Sequence, residues 1–207
     1  MLNCVLHESF YTHGTYVNQK MGFFIGYVSL ENSFSDCMPI YNEKKDLVLF
    51  LTGECYVDRE VISDLVHHGH DFNPDNASFM IHLYEEHGEN FFKDLNGWCN
   101  GIILDLAKGK AILFNDRYGM RRIYYHEKKN AFVFSSEAKS LLKALPSLRE
   151  LDPRVGEYLT YDCVLENRTY FSNIFLLPPG SAWEFSQGKA NKKQYFDPTP
   201  LENQTAL

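Results

Sequence analysis

The chain has 207 residues, of which 44% are hydrophobic and 15% aromatic, enough to bury the core of one large domain or two small ones. A formal charge of −7 leaves no basic excess for releasing counterions, which argues against nucleic acid or an acidic membrane as a partner. No apolar run approaches transmembrane length, the opening MLNCVLHESF lacks the basic and apolar regions of a secretion signal, and five scattered cysteines without a CxxC pair read as reduced thiols of a cytoplasmic protein.

In chain order, Cys4 comes first. It reads either as a nucleophile awaiting exposure or as an ordinary thiol in a first strand or a mobile terminus. The apolar runs 22–30, 46–51, 98–106, 110–114 and 131–134 predict short strands bounded by Gly-, Asp- or Lys-rich turns. LDLAKGKAILF predicts a hairpin turning near Lys108 and Gly109, and YYHEKKNAFVF a second one turning at Lys128–Asn130.

Helices lie between these strands. Asn76 is a candidate cap for a helix whose Phe79, Met80, Leu83 and Tyr84 share one face. Ala138, Leu141, Leu142 and Leu145 fall at i, i+3, i+4 and i+7, and Pro146 stops the run. In LDPRVGEYLTY, Asp152 caps, Pro153 takes the first helical position, and Val155, Tyr158 and Leu159 are expected to face inward. FLLPPG reads as a rigid turn before the strand SAWEF. From Gly188 onward the chain is polar and reads as a linker. Antiparallel hairpins with separate helices argue for an α+β layered fold.

Three segments carry candidate chemistry. In LTGECY, Gly53 and Glu54 read either as a pocket N–H and carboxylate or as a turn glycine with a solvated Glu. In NDRYGMRRIYY, Asp116, Arg117, Arg121 and Arg122 surround Gly119; an anion site is one reading, and a structural Asp–Arg network holding a turn is the favoured one. VHHGHD (66–71) would suit a metal, but adjacent His67 and His68 do not share a helix face. A frayed helix end with exposed imidazoles is the expectation, with no metal. GxGxxG, Walker A and GxSxG patterns are absent.

HLYEEHG, LNG, NDRYGMRRIYY, FSSEAKSLL, YLTYDCVLENRTYF and LLPPG occur in the order and spacing of one family. From about Gly22 to Asp197 the chain resembles the N-terminal half of glutamine-dependent asparagine synthetases, a class II glutamine amidotransferase domain of the N-terminal-nucleophile hydrolase type. The resemblance implies a four-layer αββα sandwich, two stacked antiparallel sheets with helices outside. It implies an amidotransferase-like domain over 1–190 and a polar tail over 191–207 leading toward a synthetase domain absent from this chain.

The chemistry it implies is compact. An N-terminal Cys attacks the glutamine amide with its own α-amine as base, an amine that titrates near about 7.7–8.0. An Asn amide and the next Gly N–H hold the oxyanion; Glu, Arg and Asp hold the glutamine head group. Released ammonia passes to an ATP- and Mg-dependent synthetase domain, so ATP and Mg are expected there and no cofactor in this chain. Mapped by the resemblance, the oxyanion segment is Thr52-Gly53-Glu54, the Arg is Tyr27, and the Asp is Asn76. Leu2 stands where the nucleophile would follow Met1, so Cys4 becomes terminal only if Met1-Leu2-Asn3 is lost. The expectation is a degenerate glutaminase site. A working glutaminase freed at Cys4 and a small-molecule binding module stay open. The synthetase domain, in cis or trans, is the expected partner; a small-molecule ligand and a homodimer stay open.

Overall fold

Leu47-Val-Leu-Phe-Leu51 is apolar at every position, the pattern of a strand covered on both faces. The computed structural model, which describes residues 1–129 and 131–202, places this run at the centre of the molecule. After a 3-10 turn at Leu2–Cys4 come β1 (Tyr11–Asn18), β2 (Phe23–Leu30), β3 (Ile40–Tyr41) and β4 (Leu47–Tyr56). Helices α1 (Arg59–His67), α2 (Phe79–His87) and α3 (Phe91–Asp94) follow, then β5 (Asn96–Asp105) and β6 (Lys110–Asn115). Next are β7 (Tyr124–Lys128), β8 (Ala131–Ser135), α4 (Ala138–Ala144) and α5 (Gly156–Tyr161). β9 (Phe175–Leu176), β10 (Ser181–Ser186), β11 (Lys189–Gln194) and α6 (Thr199–Glu202) complete the described chain.

A six-stranded sheet runs in the order β11-β10-β6-β5-β4-β3, with every described pair antiparallel. Alternation assigns its two faces. Leu47, Leu49, Leu51, Ile103 and Phe114 pack on Phe79, Met80, Leu83, Phe91 and Phe92 of the helices. Val48, Phe50, Ile102, Leu104, Leu113 and Trp183 pack on Ile25, Ile123 and Leu177. That second face is covered by two separate antiparallel pieces, the β1-β2 hairpin and the sheet β8-β7-β9. Leu141 of α4 packs with Ile174 and Leu148, with Tyr124 and Val133 alongside, as the outermost layer. The stack is helix, sheet, sheet, helix, as the resemblance implied. Among the described residues, no helix is long and apolar enough to cross a membrane.

Three expectations need correction. The polar segment from Gly188 is not a linker: residues 189–194 form β11, paired along β10, and Tyr195 follows, its hydroxyl donating to the Asn115 carbonyl at 2.7 Å. A domain boundary at 190 would therefore cut a strand. β11 is exposed at every position and rich in Lys, as an edge strand that resists further pairing should be. Residues 203–207 of the expected tail, and Asn130 of the second hairpin turn, lie outside the described residues. The inward face expected for α5 is also absent: Leu159 is 86% exposed, and Tyr158 packs edge-on to Tyr170 at 5.3 Å. A helix of six residues presents too little surface to bury, and its entry is held by polar bonds instead. Asp152 accepts from the Arg154 N–H and, through both oxygens, from its guanidinium. Finally, Gly53 is no turn glycine, because β4 continues through it to Tyr56.

Two outcomes follow. Phe114 is fully buried against Phe91 and Phe92, so Phe114→Ala is expected to cost about 3–5 kcal/mol in chemical denaturation, whereas Leu159→Ala should stay within about 0.5 kcal/mol. The Arg154 guanidinium, then its N–H, holds the Asp152 carboxyl down to about 2 from its ordinary 3.8. A depressed carboxyl stabilises the fold above its unfolded value and loses that contribution as pH falls through the folded one. Between pH 3.8 and about 2, Asp152→Asn should therefore lose stability less steeply than the parent chain in pH-dependent denaturation.

Candidate functional site

On the face of β4 that carries Val48 and Phe50, the next outward positions are Thr52, Glu54 and Tyr56. Their partners on β5 are Asn100, Trp98 and Asn96. The apolar cover ends after Phe50 and Ile102, and this polar extension stays open: Tyr56 is 60% and Trp98 65% exposed. Glu54 is exposed and accepts from the Tyr56 hydroxyl at 2.8 Å, a bond that also raises the Tyr56 phenol. Asn100, opposite Thr52, donates through Nδ2 to the Arg121 carbonyl at 3.2 Å. Gly53 has φ +99, and an added Cβ there would collide with the Trp98 carbonyl. Only glycine lets β4 pass β5 this closely.

Tyr27 lies on β2 opposite Gly14 of β1. Its ring tilts against Phe50 at 5.5 Å, and its hydroxyl end fills the space that a side chain at Gly14 would take. The phenol is thus fixed by its own hairpin and by β4. Beside it is a cleft of ≈ 220 Å³ that Ser29, Glu31, Asp36, His13 and Met38 help to line. Tyr27, through Phe50, therefore stands over the face of β4 on which Thr52 and Glu54 lie.

Asn76 sits before α2. Its Oδ1 accepts from the Ser78 N–H at 2.9 Å, and the helix proper starts at Phe79, so it caps the approach to the helix rather than its first turn. Among the described residues, no hydrogen bond joins Asn76 to Tyr27, Thr52 or Glu54. Cys4 is in neither a strand nor a mobile end. Its N–H donates to the Met1 carbonyl at 2.9 Å, closing a 3-10 turn. Leu2 rests against Gly26 of β2, and Ser140 of α4 donates to the Met1 carbonyl at 3.4 Å. His7 and Lys139 reinforce this docking through Glu137, at 2.6 and 3.0 Å. The Cys4 nitrogen is held in a peptide bond within that turn.

The Asp116 turn is structural, but not through arginine. The buried carboxylate accepts from the backbone N–H groups of Tyr118, Met120 and Arg121 at 3.0–3.2 Å. Arg117 leaves the turn, donating to the Lys93 carbonyl at 2.8 Å with its guanidinium over Phe196. The turn aims successive N–H groups at one carboxylate, which leaves no need for a guanidinium. Gly119, with φ +63, lies against Pro179.

All five cysteines are free. On the helix-facing side, the Cys55 thiol donates to Cys99 Sγ at 2.6 Å; that bond and burial push its pKa far above the usual range, so it is no nucleophile. Sequence reading passed over Trp98 and Tyr56. Their signal was there, as bulky aromatics at the polar positions of alternating strands. Donors suited to a metal gather elsewhere, around Glu43 at the opposite end of β4.

A family model described as glutamine amidotransferase domain matches residues 15–196, a range that begins after Cys4. Asparagine synthetase [glutamine-hydrolyzing] 2 of Bacillus subtilis is 33% identical over 127 residues, covering 61% of this chain and 17% of that protein. Asparagine synthetase [glutamine-hydrolyzing] 1 of Lotus japonicus is 34% identical over 104 residues, covering 50% of this chain and 18% of that one. The chain thus matches less than a fifth of the length of these relatives. Among solved structures, glutamine phosphoribosylpyrophosphate amidotransferase from B. subtilis, complexed with ADP and GMP, aligns with 83% of this chain and 34% of its own. The TM-score is 0.55 at 15% identity, a likeness of fold.

Gly53→Ala should lower the urea midpoint by an amount equivalent to about 2–4 kcal/mol, because both φ and space oppose a Cβ. Trp98→Ala, on the open face, should leave the midpoint within about 0.5 kcal/mol.

Proposed function

The chain belongs to the glutamine amidotransferase domain family, related to the N-terminal part of asparagine synthetases, and from that premise we propose that it keeps the fold as a scaffold without glutaminase chemistry. Tyr27 carries this reading. Free glutamine is a zwitterion, and its carboxylate needs a cation; a guanidinium would grip it with two charge-assisted bonds. Tyr27 is neutral, is held against Phe50 and Gly14, and adjoins a cleft bearing Glu31 and Asp36. Those carboxylates repel the group that the missing arginine would have bound.

Other features agree. Thr52 offers a shorter hydroxyl where the family resemblance implies an Asn amide, and removing such an oxyanion donor costs on the order of 10²–10³ in rate. Asn76 carries no charge to offset the glutamine ammonium, and its Oδ1 is engaged by Ser78. Cys4 has no free α-amine while its nitrogen stays in the peptide of a docked turn.

In this reading the domain packs on an ATP- and Mg-dependent, amide-forming synthetase domain, in cis or in trans, in the cytoplasm. The nitrogen then comes from free ammonia or from an amine already on the substrate. A second reading, a small-molecule binding module, draws on exposed Trp98 and Tyr56 flanking Glu54. It predicts saturable binding without turnover, abolished by Glu54→Ala.

The test pairs calorimetry with an ammonia assay on the parent chain and on a Tyr27→Arg/Asn76→Asp variant. The parent should bind glutamine only weakly and release no ammonia. The variant should bind glutamine about 10–100-fold more tightly than the parent, as a restored charge-assisted pair would give, still without ammonia. Ammonia release by the parent chain would overturn the proposal.

A further inference from the structure

We propose that Glu43, His70, His82 and Glu85 form a binding site for one divalent transition-metal ion of zinc-like ligand preference. The four residues come from three segments: the β3–β4 loop, the residues just after α1, and one side of α2, where His82 and Glu85 stand at i and i+3. One donor atom from each lies within 4.8 Å of all the others. His82 Nδ1 is 3.5 Å from a Glu43 oxygen and 3.9 Å from Glu85 Oε2, and His70 Nδ1 is 3.4 Å from the other Glu43 oxygen. Donors about 2.0–2.2 Å from a tetrahedral ion sit roughly 3.3–3.6 Å apart, so the pairs at 3.4 and 3.5 Å already match and the wider ones, up to 4.8 Å, close by about 1.2–1.5 Å at most. Two imidazoles with two carboxylates are donors that such ions accept.

A second observation separates this cluster from a chance meeting of charges. The His82 side chain is only 2% exposed, and its Nδ1, aimed into the cluster, has no hydrogen-bond partner. Glu85 Oε2, also buried, has none either. A buried imidazole nitrogen and a buried carboxylate oxygen, both unpartnered and 3.9 Å apart, are what a cation would satisfy. The surroundings leave these atoms free for it: Lys44 takes the other Glu85 oxygen at 3.2 Å, and the Asp71 N–H takes Glu43 Oε1 at 3.1 Å. His70 Nε2 lies 2.9 Å from Glu86 Oε1, the outer carboxylate that orients a ligating imidazole and leaves Nδ1 as its acceptor. His67 and His68 are exposed, as the sequence led us to expect, whereas the His70 side chain is only 11% exposed.

Four protein donors leave no open position, so the ion would be structural, pinning the β3–β4 loop and the end of α1 onto α2. The site lies at the other end of β4 from Glu54 and does not depend on the glutaminase reading.

The test uses the full chain stripped with a chelator, titrated with Zn²⁺ against a chromophoric competitor and separately with Co²⁺. One Zn²⁺ per chain is expected. Glu43→Gln and His82→Ala should each weaken binding more than tenfold, Glu86→Gln about tenfold, and His67→Ala/His87→Ala not at all. Co²⁺ should give the intense visible bands of a four-coordinate site, lost in His82→Ala. If His82→Ala fails to fold, His70→Ala, at the cluster's more accessible side, carries the comparison. Absence of Zn²⁺ binding by the parent chain, or binding that survives Glu43→Gln and His70→Ala but is lost in His67→Ala/His87→Ala, would overturn the proposal and leave a purely ionic His–Glu cluster.

Discussion

Phe50 is the last apolar residue on the face of β4 turned toward the second β layer, and most of the molecule is arranged by what happens on either side of it. Before Phe50, the strand is covered on both faces, and the helices on one side and the second β layer on the other are required to keep its leucines and valine dry. After it, the same face turns polar with Thr52, Glu54 and Tyr56, and the cover stops. Tyr27 is seated on Phe50 itself, at the boundary. The candidate pocket is therefore the place where a doubly buried sheet runs out of apolar cover.

That boundary separates two kinds of constraint. Fold-determining features are intact: the alternating leucines, the close passage at Gly53, the backbone cage around Asp116, and the aromatic cluster on Phe114. On the proposed reading, features that only a glutamine head group would need are changed. On that reading a neutral phenol and a neutral amide stand where the family resemblance implies a cation and an anion; Tyr27 packs on Phe50 and beside Gly14, and Asn76 Oδ1 accepts from the Ser78 N–H within its own segment. A scaffold can lose a substrate in this way without losing stability, since the strongest stabilising terms lie on other atoms.

Strand β4 was legible as a short continuous apolar run, and helix α4 through the i, i+3, i+4, i+7 spacing of Ala138, Leu141, Leu142 and Leu145, of which Leu141 is buried and Leu142 and Leu145 pack beside it. β11 was not, because an exposed edge strand has no apolar period; its one clue was Gly188 at the turn, where Gln187 and Gly188 both take positive φ. The expected inward face of α5 failed because a six-residue helix can show the right spacing yet have nothing to pack against. Within the site, Gly53 and Glu54 could be named from the motif, whereas Trp98 joins them through pairing across strands and Tyr56 through its place two residues on along the same strand face. Of the proposed metal cluster, the sequence pointed only to the histidine-rich segment holding His70; its other donors, Glu43, His82 and Glu85, stand on other segments and come near it only in the fold. The Asp116 turn shows the reverse error: nearness in sequence suggested an Asp–Arg pair, while backbone N–H groups were closer and better aimed.

The central claim is that this family member has no working nucleophile, and intact mass spectrometry of the natively produced protein tests it most directly, before and after exposure to an electrophilic glutamine analogue. The account predicts a chain that keeps the residues ahead of Cys4 and gains no adduct. A chain beginning at Cys4 that gains one adduct would contradict it, for the pocket would then bind and react despite Tyr27, Thr52 and Asn76.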